Sequence, residues 1–568
     1  MSYDLLLLHP PYILNESDYP IFPLPWNLGH VGSTSYIGKY PVGPSWTYMP
    51  LGFNTMRNYI ASHSDFSVGM ENLAILRHTP PRSILKRFKS QEITDMSILT
   101  ELAEAAHYQR TVAAIQGFEA SIFAVDLHWI VYAQGALKTL ELIKKHHPGS
   151  TTVIGGLTAS YFADEIMDRY PFIDFLVWGD GCIPLLKLTE EINGDGNFGG
   201  IPNLYYREND SIRKGPVRRL NDHTIVATDR EPLDSVTMAR GCPLNCITCG
   251  GSQSAFDQLF SQNESREYSV ETILGKIESI GTYAPHINHV FLIHDPILTI
   301  GRKKWNTILD EIHRNSFNMT FLVEFFMPHT VEDIRIIGDK IPGSSIQISP
   351  ESMDEEVRSF HKQLRYSNSD LIENLDAIRD HSDLSMGVWF LTGLAGDSRA
   401  TVDTTISFVE EYYRKITDVH RDLLMYNEML FLDPGSLAFM NPEQYGYKLR
   451  LKTLEDHVQG FSMPLFKYQM NYETRSLSRD DIVSLFLYMH DRMNEIYLRC
   501  GVLNEVQHGR ISLYNNLLRR FESKYDEAMR VSSPADRIHR FIKLGMEFRA
   551  ALNTVSDYPH KDISNITP

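Results

Sequence analysis

Short apolar runs, each halted by glycine, proline or a polar pair and followed by a helical stretch, recur along much of this chain. Tyr3–Leu8 stops at His9-Pro10-Pro11, Ser121–Val125 runs into Asp126, Thr151–Ile154 ends at Gly155-Gly156, and Asp174–Trp178 ends at Gly179-Asp180-Gly181. Helical stretches lie around Phe53–Ala61 and beyond Val125 through Leu142. Strands that alternate with helices specify a parallel sheet covered by helices on both faces. Such sheets bind ligands beyond the carboxyl ends of their strands, which is where these glycines, His128 and Trp129 fall.

Residues from Ile201 to about Asp229 read as a connecting stretch holding one strand-like piece, Asn203–Arg207. From Ser235 the alternation resumes, with strand candidates Val290–Ile293, Thr320–Phe326, Ser345–Ile348, Ser385–Leu391 and Leu423–Phe431. Helical stretches such as Val270–Ile280 and Thr330–Gly338 lie between them. Such βα repetition over roughly 200 residues predicts a partial or full (β/α) barrel with its site at the C-terminal strand ends. Later, Ser478 with Asp481 three residues on reads as a helix N-cap with an acidic first turn. Ile482, Val483, Leu485, Phe486, Met489 and Met493 then recur at helical spacing. The expected fold is therefore α/β: a doubly wound, Rossmann-like domain with its linker over 1–225, a barrel over 226–445 and a mainly helical region over 446–568.

At 568 residues the chain is too long for one hydrophobic core. Its 43% hydrophobic and 22% charged residues are ordinary for a soluble protein, and the mean hydropathy of -0.24 agrees. The net charge of -17, from 54 basic against 71 acidic residues, makes nucleic acid a poor partner. The most apolar stretch, Ser121–Ala133, is interrupted by Asp126 and His128, so no membrane span is expected. The Leu5–Leu8 run is too short for a signal peptide, and no Lys or Arg precedes it. A cytoplasmic protein, monomeric or weakly dimeric, is the expectation.

The chain has five cysteines, too few for a disulfide framework, and three of them fall within eight residues. The stretch Met238-Ala-Arg-Gly-Cys242-Pro-Leu-Asn-Cys246-Ile-Thr-Cys249-Gly-Gly-Ser252 has C-x3-C-x2-C spacing directly after a strand candidate. Three thiolates on one loop suit three irons of a [4Fe–4S] cube and leave the fourth iron open, as catalytic metal sites leave a position open. Structural zinc normally takes four Cys or His ligands, and no histidine lies between His223 and His286. Cys182 and Cys500 read as ordinary small buried residues.

This spacing after a strand resembles the signature of the radical S-adenosylmethionine (SAM) superfamily. The resemblance implies that Cys242, Cys246 and Cys249 hold the cluster and that the open iron chelates SAM. Reductive cleavage of SAM then gives methionine and a 5′-deoxyadenosyl radical, with the protein supplying position and shielding. By the same resemblance Gly250-Gly251 pass close to the cluster. His294-Asp295 stand at the contact to the SAM amino group, and Glu324 faces the barrel interior. Ser349-Pro350-Glu351-Ser352 matches the ribose-contacting stretch, and Gly393-Leu394-Ala395-Gly396 the loop near the adenine, where the family often has proline in place of Ala395.

The segment before the cysteines resembles the cobalamin-binding domain fused to many radical SAM enzymes. The matching stretches are the strand into Pro10-Pro11-Tyr12, Met49-Pro50-Leu51-Gly52-Phe53, Val153 through Gly155-Gly156-Leu157-Thr158 to Ser160, and Val177-Trp178-Gly179-Asp180-Gly181. The base-off motif D-x-H-x2-G is incomplete, since Asp126-Leu127-His128 is followed by Val131 where glycine belongs. His128 and Trp129 are therefore expected beside the corrin rather than as its axial ligand. The chain further resembles a subgroup carrying Cys-Gly-Gly-Ser, then Glu264-Ser-Arg266-Glu-Tyr-Ser-Val270, Ser-Pro-Glu-Ser and Asn471-Tyr472-Glu473-Thr474.

The resemblance implies a cobalamin-dependent methyltransferase acting on an unactivated carbon or phosphorus. Its substrate would be a small molecule, lipid or peptide, and its electrons would come from a low-potential donor such as flavodoxin or ferredoxin. Ring closure or rearrangement without net methylation is the alternative, and a non-catalytic Fe–S and cobalamin binder the third reading. Tyr426, Glu428 and Tyr472 are candidates to face the pocket. No general base is evident.

Overall fold

Leu5, Leu6, Leu7 and Leu8 are all fully buried, because their strand is covered on both sides. Leu6 and Leu8 join one core and Leu5 and Leu7 another, as alternation along a strand requires. The structure, a computed structural model, describes residues 2–14, 36–37, 40–41, 50–77, 107–209, 211–218, 232–260, 265–381, 383–415, 423–463, 465–533 and a few positions up to 547. Met49 and Glu264 of the quoted motifs, and residues 219–231 of the connecting stretch, lie outside them.

The first sheet has seven strands: β1 (Ser2–His9), β2 (Val68–Asn72), β3 (Glu119–Asp126), β4 (Thr151–Gly155), β5 (Phe175–Val177), β6 (Leu204–Glu208) and β7 (Ser211–Lys214). Their order is β2-β1-β3-β4-β5-β6-β7. The first five are parallel and the last two antiparallel. An order of 2-1-3-4-5 is that of a doubly wound sheet with its switch point between β1 and β3. Helices Leu51–His63 and Cys182–Ile192 supply Phe53, Ile60 and Leu185 to one core, and Ala133–His146 supplies Ala136, Leu140 and Ile143 to the other.

Two strands of this sheet, Val68–Asn72 and Ser211–Lys214, were not expected. Val68–Asn72 reads Val-Gly-Met-Glu-Asn, with no clear alternation, and gains strand character as an edge partner of β1. The strand-like piece in the connecting stretch belongs to the sheet itself, because Tyr206 and Leu204 complete the apolar face that Phe175 and Val177 begin.

The second sheet, unlike the first, runs in strict sequence order: β8 (Ser235–Thr237), β9 (His289–Ile293), β10 (Thr320–Phe325), β11 (Ser345–Glu351), β12 (Ser385–Thr392) and β13 (Leu423–Met429). Every pairing is parallel and β13 does not return to β8, so this is an open six-stranded partial barrel. Val290, Leu292, Phe321, Val323, Phe325, Ile346, Ile348, Met386, Val388, Phe390 and Met425 point outward into the core under the helices. Residues of opposite parity, including Glu324, Gln347, Ser349, Trp389, Tyr426 and Glu428, therefore line the inner face and are only partly covered.

Helix Arg479–Arg499 starts at a capping box in which Ser478 and Asp481 exchange hydrogen bonds, and it buries all six apolar residues expected of it. The tyrosine hydroxyl of Tyr497 on this helix donates to the Met425 carbonyl of β13. The region before it also holds a short antiparallel pair, Tyr447–Leu449 with Tyr472–Thr474. One core runs without a break from Leu6, Phe123 and Ala136 of the first sheet to Leu432, Phe461, Tyr472 and Phe486.

Candidate active site

The cysteine loop leaves β8 through Ala239-Arg240-Gly241 and is held from several sides. Asn245 Oδ1 accepts from the Ser254 amide at 2.8 Å and its hydroxyl at 2.7 Å, closing the loop on itself. The Ile247 amide donates to the His361 carbonyl (2.9 Å), and the Gly250 amide donates to Asp433 Oδ2 (3.0 Å). Arg240 forms an ion pair with Asp180, at the end of β5. Asp180 also accepts from the Cys182 amide at 3.0 Å, so this expected corrin contact ties the first sheet to the cysteine loop.

Burial raises all three thiols, Cys246 to about 12. Deprotonated sulfurs here call for a strong local positive charge, which iron supplies. Cys242 and Cys246 each lie within electrostatic reach of Cys249, which is itself exposed. Among the described residues no three His, Cys, Asp or Glu side chains converge on a single-ion position. Three cysteines on one loop are one donor short of the usual structural zinc set, and they suit three irons of a cube with the fourth left open.

His294 ends β9 with φ of 75° and Glu351 ends β11 with φ of 67°, a backbone region that costs energy for both side chains. The His294 amide donates to Glu324 Oε2 (2.9 Å), and its Nδ1 lies 3.0 Å from the Thr237 hydroxyl. Burial lowers His294 to about 4, so the ring is neutral. Glu324 Oε1 accepts from Gln347 at 3.3 Å, and burial still pushes this carboxyl up. Asp295 turns inward to the protein instead: it caps the helix Pro296–Ile300 and accepts from the Phe326 amide (3.0 Å) and His329 (2.7 Å).

Lys362 had no signal in the sequence. Its buried ammonium donates to the Ser349 carbonyl at 2.5 Å and stands 3.9 Å from Glu351 Oε1. Glu351 Oε2 is buried without a partner among the described residues, and burial raises the carboxyl. Leu394 is fully buried, and its amide and that of Gly393 both donate to Asp397 Oδ2, at 3.0 and 2.9 Å. Gly393 has φ of 101°, and a side chain there would meet the Tyr472 hydroxyl at 2.2 Å. Tyr472 itself is fully buried.

In the first sheet, His9 Nδ1 and Asp126 Oδ1 meet at 2.8 Å across the β1–β3 switch point. Asp126 Oδ2 is buried and unpartnered among the described residues. Pro10 and Pro11 are buried behind His9, with Gly135 packed against the Pro11 carbonyl. The His128 carbonyl accepts from both the Thr158 hydroxyl (2.9 Å) and amide (3.2 Å), and Leu157 is buried beside it. Gly156 has φ of 117° and no room for a side chain, since one would sit 2.6 Å from the Leu127 carbonyl. The Ser160 hydroxyl donates to the Gly156 carbonyl (2.7 Å) and accepts from the Gly179 amide (2.9 Å). Gly155 is the last residue of β4, and Gly181 packs on Met56. Three strand-end loops thus form one rim on which Trp129 is 43% exposed, an uncommon position for a tryptophan.

Residues 236–409 match the profile described as the radical SAM superfamily. The fold resembles that of a radical SAM methyltransferase, TsrM, from Kitasatospora setae, solved with cobalamin and a [4Fe–4S] cluster (TM-score 0.55, 13% identity, covering 97% of this chain and 100% of that one). It also resembles the cobalamin-dependent radical enzyme OxsB, solved with aqua-cobalamin and SAM (TM-score 0.54, 12% identity, covering 99% and 81%). An uncharacterized methyltransferase of Pyrococcus horikoshii is 22% identical over 338 residues, 56% of this chain and 71% of its own. With its cysteine loop and its partial barrel, the stretch 236–409 carries a radical SAM domain, and the chain around it has a fold that resembles those of cobalamin-dependent radical SAM enzymes.

Proposed function

We propose that this protein is a cobalamin-dependent radical SAM methyltransferase that acts on an unactivated carbon or phosphorus of a small-molecule, peptide or lipid substrate. The observation that carries the reading is the direct tie between the two sites: Asp180 on the rim of the first sheet pairs with Arg240, two residues before Cys242. A methyl donor held on that rim would face a radical site held by the cysteine loop. When bound, the cluster supplies the electron for SAM cleavage and the corrin supplies the methyl group.

The residues of this chain position and shield. Cys242, Cys246 and Cys249 would hold the cluster, with Gly250 and Gly251 beside it. His294, Glu324, Ser349, Glu351, Gly393 and Leu394 would frame SAM, with Asp295 holding the His294 turn from behind. Pro10, Pro11, His128, Trp129, Gly155, Gly156, Leu157, Thr158, Gly179 and Gly181 would frame the corrin. The neutral aromatic surface of Trp129 suits a flat macrocycle better than a metal ion. An external low-potential donor would be required. Among the described residues no helix is long and apolar enough to cross a membrane.

The test is anaerobic reconstitution with iron, sulfide and cobalamin, then mass spectrometry of the SAM products. The reading expects 5′-deoxyadenosine together with S-adenosylhomocysteine and a methylated product. Deoxyadenosine with no methylated product would overturn methyl transfer, and unchanged SAM would overturn the enzyme reading altogether.

A further inference from the structure

On the inner face of the barrel, β12 and β13 carry an apolar platform with an acid at its edge. The Trp389 and Tyr426 rings stack at 4.3 Å between centroids, inclined by 18°. They are register partners, and one step nearer the C-terminal mouth the partners are Leu391 and Glu428, on the same face. Trp389 Nε1 is buried with no hydrogen-bond partner among the described residues, where such a donor normally has one. Glu428 makes no hydrogen bond among the described residues, and burial drives its carboxyl up to about 7. Other carboxylates near the site have donors: Glu324 has the His294 amide, Asp397 two amides and Asp433 the Gly250 amide. On the platform itself, Glu428 and the Trp389 indole are left to address something outside the chain.

We infer that this platform is the substrate subsite of the proposed methyltransferase, and that its substrate carries a protonated amine on an apolar or aromatic body. The ammonium would pair with Glu428, which regains its charge in a low-dielectric setting, and the electron-rich ring faces favour the same cation. Trp389 Nε1–H would serve an acceptor on the substrate body. A neutral alcohol would satisfy one group and leave the carboxylate without a counter-charge. An anion would be repelled.

The inference rests on the barrel interior being the reaction chamber. The experiment therefore uses the reconstituted protein with SAM and three matched probes: 2-phenylethylamine, 2-phenylethanol and phenylacetate, with binding read by saturation-transfer NMR and equilibrium dialysis. The amine is expected to bind about tenfold more tightly than the alcohol, equivalent to about 1.4 kcal/mol, and phenylacetate not at all. Glu428→Gln should bring amine and alcohol within about twofold, and Trp389→Phe should weaken both. Equal binding of the three probes, or an amine preference that survives Glu428→Gln, overturns the inference. Should Glu428→Gln not fold, Glu428→Asp must narrow the preference for the same result to stand. SAM cleavage by the unmodified protein is measured on the same sample. Its failure condemns the proposed function, whereas cleavage without amine preference condemns only the substrate class.

Discussion

Arg240 reaches back from the cysteine loop to pair with Asp180 at the end of β5, so the first residues of the cluster loop are held by the other sheet. Both partners are largely buried, with side chains 22% and 7% exposed. Removing one partner of such a pair strands the other, at about 2–4 kcal/mol. Arg240→Ala and Asp180→Ala should each lower the melting temperature and the iron retained after reconstitution. The double variant should be less destabilised than the sum of the two, which a double-mutant cycle by chemical denaturation checks. Additive losses would show that the pair is not coupled.

Gly393 meets two obstacles to a side chain: its positive φ and the Tyr472 hydroxyl. Gly393→Ala should cost about 2–4 kcal/mol from strain and overpacking. Tyr472→Phe removes a hydroxyl that is buried without a partner among the described residues, and is expected to be neutral or slightly stabilising. In that background the cost of Gly393→Ala should fall by about 1 kcal/mol, leaving the backbone part. Denaturant midpoints of the four proteins measure this.

Burial raises Glu428 from its ordinary 4.5 to about 7. Between those values the folded protein holds a proton that the unfolded chain has released. The stability contribution of Glu428 is thus fully present below pH 4.5 and is lost as pH rises through 7. Glu428→Gln, which is never charged, should be more stable than the parent at pH 8 by on the order of 1–3 kcal/mol and close to it at pH 5. Melting curves across that range, without added ligand, decide the matter. A Gln variant that is less stable at pH 8 would contradict it.

Lys362 offers its ammonium to the Ser349 carbonyl and to Glu351 in a buried setting. Lys362→Met leaves Glu351 without its neighbouring cation and should destabilise by about 3–5 kcal/mol. Adding Glu351→Gln removes the stranded charge and should recover part of that loss. Thermal unfolding of the apoprotein reads this without any cofactor.

Much of the fold is legible in the sequence wherever a strand is buried on both faces. Leu5–Leu8, Ile122–Val125 and Val153–Ile154 are apolar runs because both faces are covered, and His9-Pro10, Asp126 and Gly155-Gly156 after them mark the strand ends. The edge strand Val68–Asn72 gave no such signal, since only pairing with β1 makes it a strand. The three cysteines announce themselves by spacing, which is local. Lys362, Arg240 and Asp433 act across 60 residues or more of chain, and nothing in their immediate neighbours tells where a side chain will reach. Asp295 shows the reverse: its position beside His294 suggested a contact to ligand, while the fold occupies it with a helix cap and a histidine.

The unbroken core from Leu6 to Phe486 has a consequence for how this protein can be divided. Glu165 in the first sheet's helical layer accepts from the amides of Leu454 and Glu455, and Tyr170 donates to Glu455, so one end of the chain finishes a helix begun by the other. Severed fragments would each carry a sticky half of the same interior. What reads along the sequence as three successive modules is, in three dimensions, a single garment buttoned front to back.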